Sequence, residues 1–183
     1  DILGLELKPP FARLTYAEAV GRYGLDKPDT RFGLELQDVS EIVGRSGFKV
    51  FAEAVGTGGI VKALNAKGCA EMSRKEIDDL TAFVAVYRAK GMAWIKVREE
   101  GWQSPIAKFF TDAEKNAMAE RIGMQTGDLV FFVADQAAVV NDALGQLRNH
   151  LGQKLGLIDA SRFNFLWVTR FPMFEYDETE KRY

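Results

Sequence analysis

Two carboxylates and an ammonium crowd together in Asp26-Lys27-Pro28-Asp29, a set that could bind a charged substrate or exchange protons. Pro28 fixes φ, and both aspartates can accept neighbouring backbone amides, so these residues favour a turn over a reactive cluster. Gly56-Thr57-Gly58-Gly59 has the glycine density of a phosphate loop. It lacks the Gly-Lys-Ser/Thr ending, and it leads into Ile60-Val61 rather than into a helix N-terminus that could hold an anion. A β-hairpin turn between Phe48–Ala54 and Ile60–Leu64 is the better reading. His150, the only histidine, has no carboxylate or cysteine partner at catalytic or metal-binding spacing and reads as a partly solvated helix residue. Cys69, the only cysteine, lies between Gly68 and Ala70 without a neighbouring base and reads as a small packed side chain.

Trp94, Lys96, Arg98, Trp102 and Lys108, with Phe109 and Phe110 beside them, combine aromatic rings with cations. Such a face could stack nucleobases and neutralise phosphates. The alternative is a sheet core edged by solvated lysines, and the residues themselves favour it. The five remain the candidates for a weak RNA-facing surface. No residue is assigned a catalytic, cofactor-binding or metal-ligating role. Lys plus Arg (24) nearly balances Asp plus Glu (26), a net charge of −2 that leaves no chain-wide basic footprint. One cysteine excludes an intrachain disulfide and suits a reducing cytosol. No apolar run is long enough to span a membrane, and Glu6 and Lys8 break up the start of the chain.

The elements that must position these residues are legible in outline. Pro9-Pro10 keeps residues 1–14 extended. Thr15 with Glu18 forms a capping box for a helix over about 15–24, closed by Gly24. Ser73 with Glu76 opens a helix running to about Lys90, and Thr111 with Glu114 opens one closing at Gly123. Alternation predicts a strand from Phe48 to Ala54, and further strands are expected at Ile60–Leu64, Ala93–Val97 and Ile106–Phe110. Leu129–Ala134 is apolar throughout, as in a central strand covered on both faces. Asp135 can cap a last helix whose Val140, Leu144, Leu147, Leu151 and Leu155 form one seam, and Phe163–Val168 is a final apolar strand. Interleaved helices and hairpin-length links predict an α+β fold, with helices on a mainly antiparallel sheet.

Five ordered blocks carry a family resemblance. Arg13-Leu-Thr-Tyr-Ala-Glu-Ala-Val20 with Arg22-Tyr-Gly-Leu-Asp-Lys-Pro-Asp-Thr-Arg-Phe-Gly-Leu-Glu-Leu36 resembles the "TYxEAM…RYGxDKPDLRFGxEL" segment of bacterial aspartyl-tRNA synthetases, class II enzymes. Gly91–Val97, Trp102–Phe109 and Gly127–Asp135 extend the match, and Phe165–Glu175 resembles the strand on which that family's chain re-enters its catalytic core. Arg170 departs from the pattern, which usually has an aspartate there.

The resemblance implies a two-layer α+β sandwich, the GAD insertion domain, over roughly 46–140. Residues 1–45 would flank it from the catalytic core, and 141–183 would supply a helix and the re-entry strand. It implies a parent protein that activates aspartate with ATP and Mg and transfers it to tRNA, as a cytoplasmic homodimer. The proline-bearing dimer helix, the "FRxE" strand, the "GxGxGxxR" signature and an N-terminal anticodon-binding barrel are not found in this sequence. The expectation is therefore a structural or accessory piece, inactive by itself, whose partner is the remainder of the synthetase. Without core strands beside them, residues 1–14 and 172–183 are expected to lack partners. Two alternatives are a GAD domain from a glutamyl-tRNA amidotransferase subunit and a small-molecule-sensing α+β module.

Overall fold

The computed structural model describes residues 9–174, 176 and 180–183. Strand β1 (Ala12–Thr15) runs directly into helix α1 (Tyr16–Tyr23). Thr15 and Glu18 close their capping box, and Gly24 ends the helix at φ 81°. After a loop come β2 (Gln37–Asp38), the short α2 (Ser40–Val43), α3 (Lys49–Gly56) and β3 (Ile60–Ala66). Helix α4 (Arg74–Ala85) precedes β4 (Ala93–Arg98) and β5 (Gly101–Gln103). A 3₁₀ turn at Ala107–Phe109 leads to α5 (Asp112–Ile122), then β6 (Leu129–Asp135), α6 (Ala137–Lys154) and β7 (Leu166–Thr169). The Ser73–Glu76 and Thr111–Glu114 capping boxes both form as expected.

The main sheet has the order β2-β3-β6-β4-β5, and every neighbouring pair in it is antiparallel. This is the expected α+β class, and the apolar strand β6 is central. The layering differs from the expected two. Along β6, Leu129, Phe131 and Val133 pack under α4 and α6, whereas Val130 and Phe132 join a second core with residues of α2, α3 and α5. Helices therefore cover both faces, and the sheet is the middle of three layers. Continuous burial of β6 requires this, because alternate side chains point to opposite faces.

Residues 49–54 are helical, with Phe48 as the N-cap, where alternation predicted a strand over 48–54. Phe48, Phe51 and Val55 also match helical spacing, so a window this short fits both periods. Packing decides: Phe51 is 2% exposed against Phe110 and Phe132, whereas Val50 is 55% exposed. Gly56–Gly59 is thus a helix-to-strand link and not a hairpin. A Cβ on Gly59 would lie 2.6 Å from the Asp135 carbonyl, so only glycine fits there. Ile106–Phe110 is likewise no strand. The Ser104 hydroxyl donates to the Trp94 carbonyl and accepts from the Ile106 amide, which turns the chain at Pro105. Helix α4 stops at Ala85, not near Lys90, with Arg88 turning the chain at φ 69°. The N-cap of α6 is Gln136 rather than Asp135, whose carboxylate accepts the Gln136 amide.

Strand β7 is shorter than the predicted Phe163–Val168 and pairs in parallel with β1, from Ala12↔Leu166 to Thr15↔Thr169. Phe11 packs on Phe165, so residues 11–14 have partners where none were expected. Residues 1–8 and part of 172–183 lie outside the described residues. No helix among the described residues is long and apolar enough to cross a membrane.

Candidate functional site

The chain's sharpest sequence block, residues 22–36, forms a joint between α1 and the main sheet. Arg22 pairs with Glu35 through two hydrogen bonds of 2.8 and 2.9 Å, and the Tyr23 hydroxyl also donates to Glu35. The Arg22 guanidinium holds the Glu35 carboxyl below its ordinary range. Asp29 accepts the Arg31 amide and side chain, so it caps a turn, as its sequence suggested. Lys27 is exposed, and among the described residues no group of three or more His, Cys, Asp or Glu could hold a metal ion.

Two buried cations complete the joint, and sequence reasoning missed both. Lys62, 5% exposed on β3, donates to the Gly21 carbonyl and to Asn141 Oδ1, each at 2.7 Å. Burial pulls its ammonium below the ordinary lysine range. Arg148, 1% exposed on α6, reaches the carbonyls of Asp29, Phe32 and Gly33. The available signal was positional. Arg148 falls inside the seam of Leu144, Leu147 and Leu151, and Lys62 falls between Ile60 and Leu64 on one strand face. A cation at a core position must find oxygen partners, because burying it unpaired is costly.

The five aromatic and basic candidates do not share one face. Trp94, Lys96 and Arg98 alternate along β4 on the side of α4. Trp94 packs on that core under the Arg74 guanidinium, and Lys96, 9% exposed, donates to the Met72 carbonyl. Arg98 is ion-paired to Glu71 and donates to the Ala70 carbonyl. Trp102 packs against the opposite core, and with the exposed Lys108 it lines a shallow hollow of about 370 Å³ beside α5. Lys108 stands 5.2 Å over the Phe109 ring.

His150 is half-buried and stacks on Phe83, with ring centroids 4.6 Å apart. Burial pushes the Cys69 thiol above its ordinary range, which suits a packed side chain rather than a nucleophile. Cys69 lines a hollow of about 840 Å³ between the 32–37 loop and the end of β3. Asn65 borders the same hollow; its Nδ2 donates to Asp128, and its Oδ1 has no partner.

Comparison with known proteins bears on the whole chain. The GAD domain family matches residues 51–144, just over half of it. Over 184 residues the chain is 67% identical to an aspartate–tRNA(Asp/Asn) ligase of Desulfatibacillum aliphaticivorans, covering 100% of this chain and 31% of that protein. A ligase of the same name from Desulfosudis oleivorans is 63% identical over 183 residues, again covering 31% of its length. One from Geotalea uraniireducens is 59% identical over 180 residues. The chain thus spans about a third of the length of the relatives it matches.

Proposed function

Because the chain belongs to the GAD domain family, we propose that it is the insertion module, with flanks, of a class II aspartate–tRNA ligase. The module would run over about 46–140, with 1–45 and 141–183 as its connections to the catalytic core. One structural observation carries the reading. The first and last strands among the described residues lie side by side as the parallel pair β1–β7, so the polypeptide leaves and returns at one place, as an insertion must. Large apolar side chains lie open on and beside that pair, with Trp167 59% and the preceding Phe165 47% exposed, as expected of strands that meet further structure. Likeness to ligases runs through both flanks as well as the module, which favours a ligase over an amidotransferase subunit.

On this reading the longer protein joins aspartate to tRNA(Asp/Asn) in two steps, forming an aspartyl adenylate from ATP and then transferring aspartate to the terminal ribose. ATP and Mg bind outside the present chain, in a cytoplasmic homodimer. The module contributes no reacting group and shapes the surface near the catalytic domain. Within it, Trp102 and Lys108 are the candidates best placed to touch RNA; Lys96 and Arg98 are engaged internally. The test uses the longer protein with residues 46–140 replaced by a short flexible linker. Aspartate-dependent ATP–pyrophosphate exchange should survive the deletion. A folded deletion protein without exchange would overturn the accessory role, and an intact protein unable to charge aspartate would overturn the ligase reading.

A further inference from the structure

Unlike Arg22 and Arg31, which pair with carboxylates, Arg148 holds mainly backbone, and it gathers three carbonyls of one loop. One nitrogen, Nη2, lies 2.8 Å from each of the Asp29, Phe32 and Gly33 carbonyls, and Nε lies 3.1 Å from Gly33. Nη1 reaches Asn149 Oδ1 at 3.4 Å. The flat guanidinium lies 4.0 Å from the Phe32 ring centroid and 4.9 Å from that of Tyr23. Three carbonyls of one loop converge on one nitrogen only when the loop has a single backbone shape. That shape includes Leu34 at φ 62°, a conformation non-glycine residues rarely adopt.

Helix α6 is cut to receive the loop. A Cβ on Gly152 would lie 2.6 Å from the Phe32 ring, and one on Gly145 would lie 3.0 Å from Gly24. Gly145, Arg148 and Gly152 recur at helical spacing, so one stripe of α6 provides two hollows with the cation between them. On the other side, the Leu36 amide donates to the Arg22 carbonyl at 2.8 Å, and Lys62 holds the Gly21 carbonyl. The segment is therefore gripped from α6 and from α1, and α1 is itself held from β3.

We propose that Arg148 is the positioning residue that fixes the 26–36 segment, and with it α1, to the sheet module as one rigid body. Its importance to a ligase rests on the function proposed above, where this segment leads from the catalytic core to the insertion. The rigidity belongs to the chain itself. Lysine cannot replace arginine here. An ammonium has no flat face to offer the Phe32 and Tyr23 rings, and with one nitrogen it cannot keep the Nε donation to Gly33 and the Nη1 donation to Asn149 beside the three contacts of Nη2.

Residue-resolved amide hydrogen exchange on the chain and its Arg148→Lys variant tests the proposal. The Leu36 and Arg31 amides should lose protection by about tenfold or more, while Phe131 and Val133 in β6 exchange as before. Unchanged protection at Leu36, or an equal loss at Leu36 and Phe131, would overturn it. Should Arg148→Lys not fold, Phe32→Leu removes the nearer ring and keeps the arginine. The same local loss is then expected, and its absence counts against the proposal. The measurement involves no ATP, aspartate or tRNA. Its failure leaves the ligase reading standing, and failure of that reading leaves the coupling standing.

Discussion

At the scale of single residues, buried charge holds backbone: Lys62, Lys96 and Arg148 each donate to a main-chain carbonyl, and Asp29 accepts a main-chain amide. Asp29 illustrates how this depends on pH. Its carboxylate accepts three Arg31 donors, and the Arg31 side chain holds its pKa below the ordinary aspartate value. A carboxylate with a depressed folded pKa stabilises fully above its unfolded pKa, about 3.9, and loses that contribution as pH falls through the folded value. Asp29→Asn should therefore lower the urea midpoint at neutral pH, and its gap to wild type should close below about pH 4. A gap that persists in acid would contradict this. Cys69 gives a second residue-level expectation. With burial, then the Asp128 charge, raising its thiol pKa, less thiolate is present at pH 8 than in a free peptide. Iodoacetamide should alkylate it more slowly than a cysteine peptide in the same buffer, and equal rates would reject the packed-side-chain reading. Asp29 was legible as an amide acceptor from its neighbours in sequence. Arg148 was not, because its partners lie more than a hundred positions away.

Elements were legible where local chemistry decided them. All three capping boxes form, since each needs only residues three apart. The misread stretches, 48–54 and 106–110, are short windows in which tertiary packing or one serine hydroxyl chose the conformation. The second helical layer was missed for a related reason: α5 was expected as a helix, but α3 beside it was taken for a strand. Helix α6 offers a test in which two effects oppose. Alanine favours a helix interior over glycine by about 1 kcal/mol. At Gly152 the added methyl would meet the Phe32 ring at 2.6 Å, and Arg148 pins that ring from one face. Overpacking costs about 1–3 kcal/mol, so the clash should win and Gly152→Ala should destabilise the chain. Gly21, inside α1, has no atom within 4 Å of a built Cβ. Gly21→Ala should instead stabilise by roughly 0.4–1 kcal/mol. Denaturant unfolding of both variants decides, and two shifts of the same sign would reject the close-packed joint.

For the whole molecule, the decisive quantity is how many cations remain free for a polyanion. Net charge is −2, and the structure reduces the supply further. Lys62, Lys96 and Arg148 are buried on protein oxygens. Arg22, Arg31, Arg74, Arg98 and Lys154 each face a carboxylate. A protein making about 6–10 phosphate contacts loses three to five orders of magnitude in affinity between 50 and 200 mM salt. Few phosphates can be neutralised without bringing a carboxylate near another, as at Lys75-Glu76 and Arg98-Glu99-Glu100. Binding to tRNA should then be no tighter than the ~10⁻⁴–10⁻⁶ M of non-specific contact, with a shallow salt dependence and no preference for aspartate tRNA. The measurement is a salt titration against aspartate tRNA and an unrelated tRNA, with Lys108→Ala alongside. Lys108 is exposed next to Trp102, so any stacking contact the chain makes should weaken in that variant. Tight binding at physiological salt that prefers aspartate tRNA would sink the accessory reading. If Lys108→Ala also abolished that binding, the hollow beside α5 would become a recognition surface, and the module would take part in choosing the substrate.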